Sequence, residues 1–412
     1  MTDDLDRALR GALTTAARQA PAADPGLLER VEAGHRRRRR RRASAAALAV
    51  AVVVGGTGAA GGLLRSGEDA PPVASPGELE PVSRADLGAP VKVRERWPDA
   101  VRTVPGELPN GRELHPVTLL DDGTLVGRTW SSLEKADKLW AYDLDARKAT
   151  VITDIVVPRG SKIFASDFTV GGGQIVWWLS YRVDGRDTVE IWGAPVAGGT
   201  ARKLTGLPGD NVSTLLIDGD AIVWGMADGV YRVPLAGGTP ERIPGTDGFG
   251  IVSWPWIGSP ASDGKKVGDI KYKSLWNVRT GERRGARLAP YKGMWSCGVT
   301  WCVGGPAPGI TYHGKPAIAV QRRDGEAGSL ITSNGLIGPM WGAIHGRFLV
   351  YHPRRSAVGN HVLYDVETGT LLDTGARQYN GERMGPALND RDPQHFVSGE
   401  DGLVLIDFSK IG

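Results

Sequence analysis

The chain has 412 residues, with 58 glycines, 27 prolines and 13 tryptophans. Short aromatic and β-branched runs separated by Asp-Gly, Gly-Gly and Pro-Gly steps point to many short strands joined by turns and exclude a mainly helical protein. The formal net charge of +4 is local: residues 1–64 hold 11 arginines against 6 acidic residues, and residues 65–412 hold 39 basic against 40 acidic. The body therefore lacks the basic face that nucleic-acid binding needs, and no nucleic-acid partner is expected.

Residues 1–42 read as a cytoplasmic helical stub. Leu5, Leu9 and Leu13, with Ala8, Ala12 and Ala16 beside them, form one apolar stripe on a helix over 3–19. A second short helix is predicted from Asp24 as N-cap, with Pro25 at its first position and Leu27, Leu28 and Val31 on one side. Two such helices cannot bury a core alone. Either they stay loosely folded, or their leucines meet a partner protein or the inner leaflet.

Arg36, Arg37, Arg38, Arg39, Arg40, Arg41 and Arg42 form an unbroken run that abuts an uncharged stretch, residues 43–64. As a helix these residues would cover about 33 Å, enough for a hydrocarbon core of about 30 Å. Retained positive charge on the N-terminal side predicts a single span with the N-terminus in the cytoplasm and the rest outside it. The alternative is a cleaved signal peptide, but the long extension before the apolar stretch argues for an uncleaved anchor. Stub, arginine run and Ala/Val-rich span together resemble membrane proteins of GC-rich bacteria regarded as candidate partners of sigma factors. The resemblance implies a cytoplasmic regulatory partner at residues 3–33. Residues 1–64 contain no cysteine, so the zinc motif of zinc-binding anti-sigma proteins is missing.

Residues 65–90, with Pro71, Pro72, Pro76, Pro81 and Pro90, read as an extended extracytoplasmic tether. Beyond it, over 91–412, the chain repeats. EIWGAPVAGGTARKL at 190–204 superposes on GVYRVPLAGGTPERI at 229–243 with an offset of 39, and Ile175-Val176-Trp177 matches Ile222-Val223-Trp224 with an offset of 47. The eight extra residues are expected in the hairpin around Arg182 to Asp187. Weaker copies lie at 139–153, 274–284 and 362–375, each an alternating strand, a short turn and a second strand. Four strands in roughly 40 residues is the unit of a propeller blade.

The motif at 229–243 resembles the repeat of TolB-like and WD-repeat-like β-propellers, and the resemblance spans about 90–410. It implies a mainly β fold with blades near 112–153, 165–205, 211–244, 248–285, 292–332 and 340–375. A last blade is expected from 395–398 and 403–408, completed by Ala100 to Val104. Seven blades are expected, with six as the alternative.

Cys297 and Cys302 are the two cysteines of the chain. So close a pair, outside the expected membrane span, reads as a structural disulfide across a tight hairpin; a redox pair or a metal site are the alternatives. No G-x-S-x-G, H-E-x-x-H or phosphate-loop motif occurs, and His115, His313, His345, His352, His361 and His395 are scattered and read as surface or turn residues. Hence no catalytic residue, metal site or cofactor is expected, and the protein reads as a non-enzyme. An enzymatic propeller would instead show paired acids or a His-acid pair at one mouth of its channel. Trp254 and Trp256, flanking Pro255, are the candidate ligand face, because alternate residues of one strand point the same way. The expected function is a membrane-anchored propeller that binds or senses a protein or cell-envelope ligand, the alternative being a transmembrane regulator. Its expected location is the cell membrane.

Overall fold

Two-residue turns of glycine and aspartate set the unit of construction. Strands Gln174–Val183 and Arg186–Pro195 meet at Asp184 and Gly185, both with positive φ, 47° and 76°. That is the turn whose twist suits a hairpin. The equivalent strands Ala221–Met226 and Gly229–Pro234 keep the same base pairing, with Ala221 opposite Pro234 as Gln174 is opposite Pro195. The first hairpin has 10 residues per strand and the second 6, so the eight extra residues lie where the repeat offset put them.

The computed structural model describes residues 79–411, apart from 84–85, 122, 133–134, 157–165, 262–268, 291–293, 306–310, 313–314, 333–342, 352–359, 378–393 and 400–401. The stub with Arg36 to Arg42, the span 43–64 and the tether as far as residue 78 lie outside the described residues. Among the described residues no helix is long and apolar enough to cross a membrane.

Five four-stranded sheets follow. The first holds His115–Leu119, Thr124–Ser132, Lys135–Asp143 and Lys148–Asp154; the second adds Ser166–Gly171 and Arg202–Pro208 to the hairpin above. The third runs Thr214–Asp218, Ala221–Met226, Gly229–Pro234 and Glu241–Arg242, and the fourth Gly250–Ser253, Trp256–Ser259, Ser274–Asn277 and Arg283–Gly285. The fifth combines Phe348–Tyr351, Asn360–Asp365 and Thr370–Arg377 with Val91–Lys92.

Alternation along each strand feeds two cores. Ile175, Trp177 and Leu179 pack with Val126, Leu139 and Ile152 of the first sheet, whereas Val176 and Trp178 pack with Leu215, Ile222 and Trp224 of the third. Burial on both faces is what stacked blades require. The fold is mainly β, a propeller.

The expectation of seven blades, or six, is corrected: the described residues contain five four-stranded sheets. In the region of 292–332 the sheet is six-stranded. Its four antiparallel strands, from Met294–Cys297 to Gly328–Thr332, gain Ile270–Lys271 on one edge and Glu80–Ser83 on the other, both parallel to their neighbours. The terminal sheet has three strands, Gln394–Gly399, Gly402–Asp407 and Val101–Val104. Here the expected pairing of the two ends of the propeller occurs, with Val101 opposite Ile406 and Val104 opposite Leu403.

The tether reading is corrected at its C-terminal end. Residues 80–83 and 91–92 are strands laid on the outer edges of successive sheets, and the segment sets an apolar side chain into one core after another. Leu79 enters the cluster of Trp295, Cys297 and Leu330, and Leu87 that of Ile318, Leu349 and Leu371. Val93 and Val101 enter that of Phe348 and Ile406, and Val104 that of Leu114 and Leu125. Each such burial contributes about 2 kcal/mol, more than a solvated linker could offer.

Cys297 and Cys302 sit opposite one another in the hairpin of Met294–Cys297 and Trp301–Gly305, with Cα atoms 3.9 Å apart, and are joined by a disulfide. Both are buried. Replacing the two by serine is expected to lower stability by about 2 kcal/mol, the loop-closure contribution of so short a ring; thermal melting of the oxidised protein against the double variant measures it.

Candidate functional site

Trp254 and Pro255 form the turn between Gly250–Ser253 and Trp256–Ser259, so the premise that Trp254 and Trp256 share one strand is corrected. Trp254 is buried at 9% exposure among Leu216, Val223, Ile251 and Ile257, and donates its indole N–H to Asp218 Oδ2 at 2.8 Å. Trp256 is half-buried, with the Arg284 guanidinium 4.4 Å from its ring centroid.

Ionisable groups converge elsewhere, on the first two strands of the first sheet and the first strand of the second. His115 opens the first strand, and the hairpin register puts Arg128 opposite it, with Trp130 two residues further along. The imidazole meets the Trp130 ring edge-on, with centroids 5.8 Å apart, and its Nε2 lies 3.6 Å from Glu113 Oε1. The Arg128 guanidinium lies 5.1 Å from the Trp130 ring and 5.0 Å from that of Phe168, which stacks on Trp177. A cation between two rings, one from each sheet, ties the sheets together. Beside Phe168, Asp167 adopts a left-handed backbone with φ of 49° and accepts the Trp178 indole N–H at 2.8 Å. Non-glycine residues held in this region concentrate at functional positions.

Burial pushes the Asp167 carboxyl above the usual carboxylate range, and the Trp178 N–H and the charge of Arg128 only partly oppose it. Burial holds the His115 imidazole below its usual range; Glu113 works against this and Arg128 with it. The cluster thus offers an imidazole that is harder to protonate than usual and a carboxyl that is harder to ionise than usual, beside a fixed cation. It can bind an anion or move a proton.

Because Asp167 is harder to ionise folded than unfolded, its contribution is most favourable at low pH and is lost as the pH rises past about 4. His115 is harder to protonate folded than unfolded, so stability is lost as the pH falls through about 6.5. Melting curves between pH 4 and 8 are expected to show Asp167→Asn at least as stable as the parent at neutral pH. His115→Gln is expected to lose the decline below about 6.5. An unchanged pH profile in both variants counts against this environment.

Reading the histidines as scattered surface or turn residues missed this cluster. Counting strand register outward from an Asp122-Gly123 turn would place Trp130 opposite His115; the observed turn and the register shift between Pro116 and Thr118 bring Arg128 there instead, and neither these nor the approach of Asp167 from another sheet had a signal in the sequence. Two clefts lie apart from it. One, of about 420 Å³, is lined by Thr300, His345, Arg347, Glu367 and Ser409. Arg347 there grips buried Asp365 in a bidentate pair at 2.8 and 2.6 Å and donates to the Ile411 carbonyl at 3.2 Å. Burial works to raise the Asp365 pKa, but hydrogen bonds from Arg347, Thr368 and the Glu367 N–H outweigh it and hold the carboxyl below its usual range. The second cleft, of about 900 Å³, is lined by Trp97, Arg102, Asp121 and Lys410 among others. Among the described residues no three His, Cys, Asp or Glu side chains converge to hold a metal ion.

No protein-family model matches the chain, and no curated protein matches it in sequence. Solved structures do align. The computationally designed Ika8 protein aligns at 15% identity and a TM-score of 0.36, over 72% of this chain and 83% of its own. An oligogalacturonate lyase in complex with manganese aligns at 11% identity and a TM-score of 0.32, over 72% of this chain and 77% of its own. The β-propeller domain of the Trilobed protease from Pyrococcus furiosus aligns at 12% identity and a TM-score of 0.35, over 71% of this chain and 93% of its own. On its own sheet topology, the described part of this chain is a β-propeller.

Proposed function

We propose that this chain is a single-pass membrane protein that holds its propeller outside the cytoplasm as a non-catalytic binding or sensing module for a protein or cell-envelope ligand. The observation that carries the reading is the run Arg36 to Arg42 set directly against the uncharged residues 43–64. The disulfide supports it, because such bonds persist in oxidising compartments. Protease added to intact spheroplasts is expected to remove a C-terminal epitope tag and spare an N-terminal one; the reverse pattern ends the proposal.

The leucine stripe over 3–19 favours a second reading, in which the stub holds a cytoplasmic transcription factor and the propeller supplies the signal. Crosslinking of the full chain in cells is expected to recover such a factor on that reading. A catalytic reading would use the His115 and Asp167 cluster, and turnover of a ligand that is abolished by His115→Gln would favour it over binding alone.

A further inference from the structure

The structure assigns a ligand class to the binding module: we propose that the outer edge of the fourth sheet binds a linear acidic polysaccharide through its carboxylates. The assignment rests on the binding-module reading above.

Cations crowd this edge. Residues 269–287 hold Lys271, Lys273, Arg279, Arg283, Arg284 and Arg287 against Asp269 and Glu282, whereas the rest of 65–412 holds 33 basic against 38 acidic residues. Arg283–Gly285 is the outermost strand of its sheet and is exposed throughout. Lys273, Arg279 and Arg287 are exposed as well. Arg279 pairs with Asp218, and Arg284 with Glu282 at 2.7 Å. Among the described residues no ion pair is made by Lys273, Arg283 or Arg287.

Charged edges also serve to block edge-to-edge pairing of sheets. The third sheet shows that use in balanced form: on its edge strand Arg242 pairs with Asp247 at 2.7 Å, and Glu241 with Arg232 at 3.4 Å. The fourth edge keeps a surplus. Buried Arg323 lies behind it, and the repulsion of Arg284 adds to burial in lowering its pKa to about 10.

Two of the cations are pre-positioned. Arg283 lies 4.7 Å from the Trp276 ring and Arg284 4.4 Å from the Trp256 ring. Stacking restrains the Arg283 guanidinium plane while leaving its N–H edge available for a bidentate carboxylate contact, so little ordering remains to be done there on binding, whereas the Nε–H of Arg284 is held by Glu282 and that residue adds its positive field. The Trp256 ring beneath is capped by charge, which disfavours stacking of a neutral sugar. Register places the two pairs on opposite faces of the sheet: Arg283 is opposite Trp276, next to Ile257, and Arg284 is opposite Leu275, on the face of Trp256. A flexible chain can reach both faces of a rim, whereas a bilayer plane meets one. The exposed large hydrophobics among the described residues, Val151 and Val156, lie in a different sheet region, so this edge offers nothing to insert into lipid.

The test is binding of fluorescent alginate to the full chain in neutral detergent at low ionic strength. Lys273→Gln/Arg283→Gln/Arg287→Gln is expected to weaken binding about tenfold, the sum of three exposed charge contacts. The same triple substitution is expected to cause the same loss when Arg36 to Arg42 are all glutamine, which removes the other polycation of the chain. Unchanged affinity in the triple variant overturns the proposal, as does a loss that follows only the seven glutamines. Binding to phosphatidylglycerol vesicles without binding to alginate overturns it in favour of a bilayer. A negative alginate result with the C-terminal tag still digested in spheroplasts overturns the polysaccharide alone, while a protected tag overturns the extracytoplasmic reading.

Discussion

Arg323→Ala is expected to cost about 4 kcal/mol, because it strips four backbone carbonyls, buried or partly buried, of their donor at once. The side chain is 4% exposed and donates from Nε to Gly298 O at 2.9 Å, from Nη1 to Lys273 O at 3.0 Å, and from Nη2 to Tyr272 O at 2.8 Å and Cys297 O at 3.4 Å. Its own backbone N–H donates to Thr300 O at 2.8 Å. A pKa near 10 leaves it charged at neutral pH, with carbonyl dipoles in place of a counter-ion. The guanidinium fork is what spans four acceptors; Arg323→Lys keeps the charge and is expected to recover less than half of the loss. Chemical denaturation measures the cost. Reduction of the Cys297–Cys302 bond by dithiothreitol is expected to be faster in the variant, since two of the four acceptors flank that hairpin turn. A variant within about 1 kcal/mol of the parent contradicts the argument.

Gly237→Ala is expected to cost about 3 kcal/mol, and Gly198→Ala at the equivalent place about 1 kcal/mol. Both glycines have positive φ, 91° and 101°, so both alanines are strained. Space separates them. A Cβ on Gly237 would lie 2.7 Å from the Leu204 carbonyl oxygen and 3.2 Å from its Cα, whereas on Gly198 the nearest atom would be the Ile152 oxygen at 3.7 Å. Equal losses in the two melting curves would show that backbone strain alone is at work.

These glycines explain why the repeat could be read at all. In each Gly-Gly-Thr loop the second glycine donates its N–H to the outer strand of the preceding sheet: Gly199 to Ile152 O and Gly238 to Leu204 O, both at 3.0 Å. All four glycines of the two loops have positive φ, and at Gly237 a Cβ would also crowd the Leu204 carbonyl, so the contact between blades leaves a mark in the sequence. The pairing of 101–104 with 402–407 was legible for a related reason, since an unpaired strand at each end of a propeller calls for a partner. The disulfide was legible because two cysteines five apart can meet only across a tight turn.

What escaped reading lacks a local pattern. Leu79 and Leu87 enter two different cores, with Pro81 between them in a two-sided polar stretch, and such spacing follows neither a helix nor a strand. Alternation puts Trp254 and Trp256 on one face only if one strand carries both; a turn at Trp254-Pro255 sends one ring inward and leaves the other under Arg284. Arg323 binds carbonyl oxygens, which every residue owns, so no partner side chain could announce it.

The sequence by itself determined the class of fold, the repeating hairpins, the long hairpin around Arg182 to Asp187 and the cysteine pair, because each depends on residues close together whose side-chain alternation or backbone freedom is local. Only the tertiary structure decided how many sheets have four strands, which edges the 79–104 segment covers, and that Asp167 joins His115 and Arg128. Those outcomes depend on which sheet edge lies beside which, and unpaired backbone N–H and C=O groups along an edge accept any extended segment that can set a side chain into the neighbouring core.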